Sequence, residues 1–200
     1  MTVGRRIRLL AMSMAVAAPA LATAADLRGF EFRGLRADMS VDQVMALFPL
    51  ALREIHAEPS EPSLGLYLIR GRYHGAEGVT FDAEFGHDRR LLRWRYEIAM
   101  VDAGAGDAVL EAFARALGAP DRDTRLGESR VVDYLDPWTS ALPGAALRYR
   151  IVIEPAAEPT AQRLVVDFAD YLADEANTAA VYNHAVEVER AQQVDSIGRR

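Results

Sequence analysis

Hydrophobic and polar positions alternate strictly between Val79 and Ala99 (VTFDAEFGHDRRLLRWRYEIA). Phe81, Ala83 and Phe85 fall on one side of an extended chain, Asp82 and Glu84 on the other. Beyond the polar turn Gly86-His87-Asp88, Leu92, Trp94, Tyr96 and Ile98 continue the apolar face, and Arg93 and Arg95 the polar one. A tight turn at Asp88-Arg89 predicts a hairpin with Glu84 opposite Arg93 and Asp82 opposite Arg95. Such a sheet has one buried face and one wet, charge-paired face, and other elements must cover the buried side.

Upstream of the hairpin, Leu27–Leu35 alternates briefly and reads as a lead-in strand. Ser40 with Gln43 forms a capping box for a helix whose apolar positions are Val41, Val44, Leu47 and Phe48, stopped near Pro49. The segment Arg53–Ser63 reads as a solvated loop, and Leu64–Tyr73 as a strand. Downstream the order recurs. Asp107 is a candidate cap for a helix with Leu110, Phe113, Ala114 and Leu117 on its apolar stripe, ended by Gly118 and Pro120. A polar loop, Asp121–Glu128, leads to a short strand, Ser129–Leu135. A second hairpin then pairs Leu147–Pro155 with Gln162–Phe168, setting Ile153 opposite Leu164, Glu154 opposite Arg163 and Arg150 opposite Asp167.

The fold class expected is α+β: two tandem units, each a helix with an antiparallel β-meander, plus a C-terminal helix over Asp174–Gln193. The expected boundaries are 1–24, 25–102, 103–172 and 173–200. The first of these reads as a signal peptide. Arg5, Arg6 and Arg8 precede a short apolar run, and small-residue cleavage sites follow at Ala22 and Ala24. Val44, Phe48, Phe81, Phe85, Trp94, Tyr96, Phe113, Leu117, Tyr149, Ile151, Val166 and Phe168 form the expected core.

Composition narrows the chemistry. Cysteine is absent, which removes a thiol nucleophile, a thiolate metal site and a lipid-bearing cysteine. All 23 basic residues are arginine, which removes Schiff-base chemistry and the phosphate-loop lysine. The formal charge of −6 becomes −9 without the three leader arginines, arguing against nucleic acid as a partner. No transmembrane segment is expected in the mature chain. The product is expected in the periplasm or secreted, with no cofactor.

Asp38-Met39-Ser40-Val41-Asp42-Gln43-Val44 resembles the start of the helix-plus-sheet repeats of the outer-membrane assembly lipoprotein E family (SmpA/OmlA-like) and of β-lactamase inhibitory protein. Met39, Ser40 and Val44 match, as do Gly118 and Pro120 in the second unit, whereas Asp38 stands where glycine is usual. The resemblance implies a non-catalytic scaffold that binds proteins. Two functional classes follow. One is an exported binding or accessory module for an envelope protein or peptide, with Tyr73, Tyr134 and Trp138 near strand ends as partner-binding residues. The alternative is a metal-assisted hydrolase or isomerase built on His74 and His87 with Glu84 and Asp88.

Overall fold

A computed structural model describes residues 26–56, 66–75, 78–100, 103–137, 145–156 and 161–198. The elements are α1 (Val41–Leu47), β1 (Ala51–His56), β2 (Leu66–His74), β3 (Thr80–Phe85), β4 (Leu91–Met100), α2 (Ala103–Leu117), β5 (Arg122–Leu126), β6 (Ser129–Pro137), β7 (Ala145–Pro155), β8 (Gln162–Asp170) and α3 (Tyr171–Gly198). The strands form one antiparallel sheet in the order β1-β2-β3-β4-β8-β7-β6-β5. The α+β class therefore holds, with sheet predominating. None of the described helices is long and apolar enough to cross a membrane.

The hairpin registers at the charged pairs are those the alternation requires, but next to the β3–β4 turn a bulge shifts the register, so that Phe85 faces Leu91 and Leu91, not the expected Leu92, joins the core cluster. Asp82 faces Arg95 and Glu84 faces Arg93, while Ile153, Glu154 and Arg150 face Leu164, Arg163 and Asp167. The β3–β4 turn closes through Arg89 in the left-handed region (φ 63°), and Asp88 Oδ1 accepts from the Arg90 N–H at 3.0 Å. Trp94 pairs with Phe168 and Tyr96 with Val166 where β4 meets β8. That seam makes the eight strands continuous.

One face of the sheet is the core. Phe81, Phe85, Trp94, Tyr96, Tyr149, Ile151, Val166 and Phe168 are all buried there, with Val44, Phe113 and Leu117 supplied by the helices above. Phe48, partly buried, stacks on Phe81 with ring centroids 4.4 Å apart. Every residue expected in the core lies in it or packs against it. Between α1 and α2 the N-terminal strap fills the roof, Phe30 against Tyr149 (5.1 Å) and Phe32 against Trp94 (5.6 Å). The strap is laced to β4, since the Leu91 N–H donates to the Met39 carbonyl at 2.8 Å and the Val41 N–H to that of Arg89 at 3.0 Å.

Local expectations are corrected in five further places. Residues 27–35 form turns with a single Phe32–Leu35 bridge, not a strand. The Arg53–Ser63 loop begins inside edge strand β1, and the Asp121–Glu128 loop contains edge strand β5; α1 and α2 are thus each followed by four strands rather than three. Both edges lack the alternation of a half-buried strand, because β5 is exposed along its whole length and β1 over most of it. Asp107 lies within α2 instead of capping it, because the helix begins at Ala103. The C-terminal helix starts three residues earlier than expected. Asp170 Oδ1 accepts from the Ala173 N–H at 2.9 Å, so α3 springs directly from β8. The capping box at Ser40 and the left-handed Gly118 (φ 82°) after α2 are as expected.

Candidate functional site

Opposite the core, the sheet carries a lattice of charge. One row crosses seven strands with alternating sign: Arg72, Asp82, Arg95, Asp167, Arg150, Asp133 and Arg122. Every second gap is closed by an ion pair, Arg72–Asp82 at 2.5 Å, Arg95–Asp167 at 3.5 Å and Arg150–Asp133 at 2.7 Å. Glu84 likewise takes Arg70 at 2.7 Å, and Arg93 takes Asp174 of α3. The sequence places acids and arginines opposite each other within hairpins. Only Glu154–Arg163 actually bonds that way; Arg93 turns to α3, and the others turn to the strand on their far side. Two equidistant neighbours of opposite sign compete for each carboxylate, and a strand's far neighbour is invisible in a hairpin pattern.

This lattice defines the chemistry available on the face. Asp167 stands out on this face, its acidity weakened by burial despite the pull of Arg95, Arg148 and Arg150. It borders a hollow of about 360 Å³ at the start of α3, together with Arg93, Arg95, Arg148 and Tyr171. The Arg148 guanidinium there lies over the Tyr171 ring, 5.5 Å from its centroid.

The residues of the metal-site expectation do not converge. His74 pairs with Thr80 at the start of β3, and His87 follows its far end, roughly 20 Å away at strand rise. His87 is occupied structurally: its backbone N–H donates to Asn177 Oδ1 at 2.7 Å, and its Nδ1 lies 2.7 Å from the same oxygen. Among the described residues no three His, Asp or Glu side chains group closely enough to hold a metal ion.

The three aromatic residues expected at a partner surface also separate. Tyr73 is half-buried near the end of β2, 5.8 Å from Phe48. Trp138 lies outside the described residues. Tyr134 is only 2% exposed, because β6 continues to Pro137 and the ring sits on the core face, 6.0 Å from Phe113. It therefore lies within β6 and not at the strand's end. Burial holds its phenol above the usual acidity range, with the Asp123 charge adding to the effect.

Tyr134 nevertheless borders a surface groove. Helix α2 leaves the core face open at the sheet edge, and a depression of about 400 Å³ runs between it and β5–β6. Leu110, Ala114, Pro120, Val132 and Tyr134 form its apolar part. Asp107, Glu111 and Asp123 line it with Arg130. Arg130 donates to Asp123 from Nη2 at 2.7 Å and from Nε at 3.0 Å, and its Nη1 reaches Asp107 at 3.4 Å. The Arg130 bond lowers the Asp123 pKa, keeping that carboxylate charged. The sequence does contain a signal for this site. Asp107, Leu110, Glu111 and Ala114 recur at helical spacing, which puts two acids beside two apolar side chains on one helix face. Reading Asp107 as a cap hides it. Comparison with protein-family models, with curated proteins and with solved structures finds no match for this chain.

Proposed function

We propose that this chain is an exported, non-catalytic binding module of the cell envelope that recognises another protein or a peptide through the α2/β5–β6 groove. The observation that carries the reading is the groove itself, an apolar floor with a charged rim at an uncovered part of the core face. Apolar surface that a fold leaves open beside polar residues is what partners use. A second feature supports the non-catalytic part: the polar face commits nearly all its acids to arginine pairs. The helix-then-four-strands order on both sides of the β4–β8 seam supports a duplicated helix-plus-meander scaffold. The basic, apolar start of the sequence supports export, with cleavage after Ala22 or Ala24.

The test is site-specific photo-crosslinking in cells. A photoreactive residue replacing the groove residue Ala114 should capture a defined envelope protein, whereas one replacing Arg53, on the opposite edge, should not. Equal capture from both positions, or turnover of a substrate with no capture, would overturn the proposal.

A further inference from the structure

The alternation of charge on the polar face breaks at one position. In the row beside the seven-strand one, register partners run Arg70, Glu84, Arg93, Ala169, Arg148 and Leu135. The sign alternates as far as Arg93, and the place that the pattern gives to an acid is then held by Ala169. Arg95 lies between Asp82 and Asp167, Arg150 between Asp167 and Asp133, and Arg93 beside Glu84. Arg148 has an alanine on one side and a leucine on the other. It is half-buried and makes no ion pair among the described residues, where its Nε is buried without a hydrogen-bond partner. A covered donor left unbonded costs free energy, so this guanidinium is unmatched by its own fold.

The missing side chain also leaves space. Ala169 lines the hollow of about 360 Å³, and Arg93 and Arg148 flank it from the neighbouring strands. The hollow's charges cancel except at Arg148. Asp82 and Glu84 are held by Arg72 and Arg70, Arg93 by Asp174, and Arg95 by Asp167 and Glu97. We infer that the hollow binds a carboxylate, which takes the place of the absent acid and accepts two parallel hydrogen bonds from the Arg148 guanidinium. Arg93 keeps N–H donors beyond the Nη2 that Asp174 takes. One uncompensated cation suits a monoanion, and the bordering Asp82, Glu84 and Asp167 oppose the second charge of a phosphate. The Tyr171 ring and the Ala169 methyl offer apolar surface to a short ligand body. The site lies on the sheet face opposite the α2/β5–β6 groove and stands independently of it.

The test follows the arginine Nε–H signals of the isotope-labelled protein by NMR, with Arg148 assigned by its loss in Arg148→Met. Phenylacetate should move that signal and saturate with a Kd of about 1 mM or tighter, and neutral phenylacetamide should bind at least about tenfold more weakly. Arg148→Met keeps the stem against Tyr171 and removes an unpaired charge, so phenylacetate binding should fall about tenfold or more with no drop in melting temperature. Ala169→Asp returns the acid to the chain. With no ligand added, its Arg148 signal should already show the shift that phenylacetate causes in the unmodified protein, and phenylacetate should no longer bind. Acetyl-Ala-Ala-Phe, with a terminal carboxylate, and acetyl-Ala-Glu-Ala amide, with a side-chain one, separate the sources. Tighter binding of either than of phenylacetate supports the site with the carboxylate on a partner chain, and weaker binding of both supports it with a small free acid. Equal binding of phenylacetate and phenylacetamide, tighter binding of phenyl phosphate, or undiminished phenylacetate binding in Arg148→Met would overturn the inference. So would the absence of any shift at about 10 mM phenylacetate and peptide.

Discussion

Arg150 grips Asp133 with two donors, Nε at 2.7 Å and Nη2 at 3.0 Å, and the carboxylate beneath is 4% exposed. The pair links β7 to β6 on the charged face. Removing the arginine strands a buried charge, so Arg150→Met should destabilise the fold by about 3 kcal/mol. That is the low end for buried pairs, because the Arg150 side chain is 36% exposed and water screens it. Adding Asp133→Leu should restore most of the loss. Urea titration of the single and double variants measures both steps, and a single-variant loss below about 1 kcal/mol would contradict the account.

Phe81 is fully buried, stacked on Phe48 at 4.4 Å and 6.3 Å from Trp94. Phe81→Ala should cost about 3–5 kcal/mol by opening a cavity between α1 and the sheet. Phe81→Leu should cost much less. Chemical denaturation separates the two, and similar losses would mean that ring volume is not what the site requires.

The pH dependence of stability should carry a signature of Asp167. Its folded pKa is raised above the ordinary 3.8, chiefly by burial. The protonated acid is thus favoured by folding, and its contribution is greatest below that value and is lost as pH rises through the folded pKa. Asp167→Asn lacks this loss. The variant should gain on the wild type as pH goes from about 4 to 7, as followed by melting temperature. A wild type that gains on the variant over that range would reverse the sign and refute the assignment.

Asn177 anchors α3 to the sheet. It is 3% exposed, and its Oδ1 meets both the backbone and the ring of His87 at 2.7 Å. A Cβ on Gly86 would come within 2.7 Å of that same oxygen, so the turn must be glycine for the side chain to dock. Asn177→Ala should cost about 1–3 kcal/mol. Amide exchange should speed up in α3 and the β3–β4 turn while the β4–β8 amides stay protected. Uniform loss of protection would mean that α3 and the sheet unfold as one unit.

What the sequence made legible follows from where the hydrophobic contrast is sharp. Phe81, Phe85, Trp94, Tyr96, Ile151 and Phe168 sit on strands with one wet face, so alternation located the hairpins and their registers. Edge strands β1 and β5 carry polar residues on both sides because neither face is covered, and they read as loops. Tyr134 was legible as an interesting aromatic but not as a buried one. Its burial depends on two further residues of β6 and on Phe113 of a distant helix. The groove escaped for a related reason. Asp123 belongs to β5 and Arg130 to β6, and only the fold brings them beside α2.

The β4–β8 seam pairs Arg93 with Ala169 and Met100 with Gln162, strands that the chain delivers a whole meander apart. Closing it late is costly in chain entropy, so folding should be slow relative to the hairpins on either side. Until it closes, each four-stranded half shows a bare strand of the right polarity and pattern to accept the other. Nothing in that pattern distinguishes the half on the same chain from the half on a second copy. Strand exchange is then the natural by-product of refolding, and the yield of swapped dimer should rise with protein concentration.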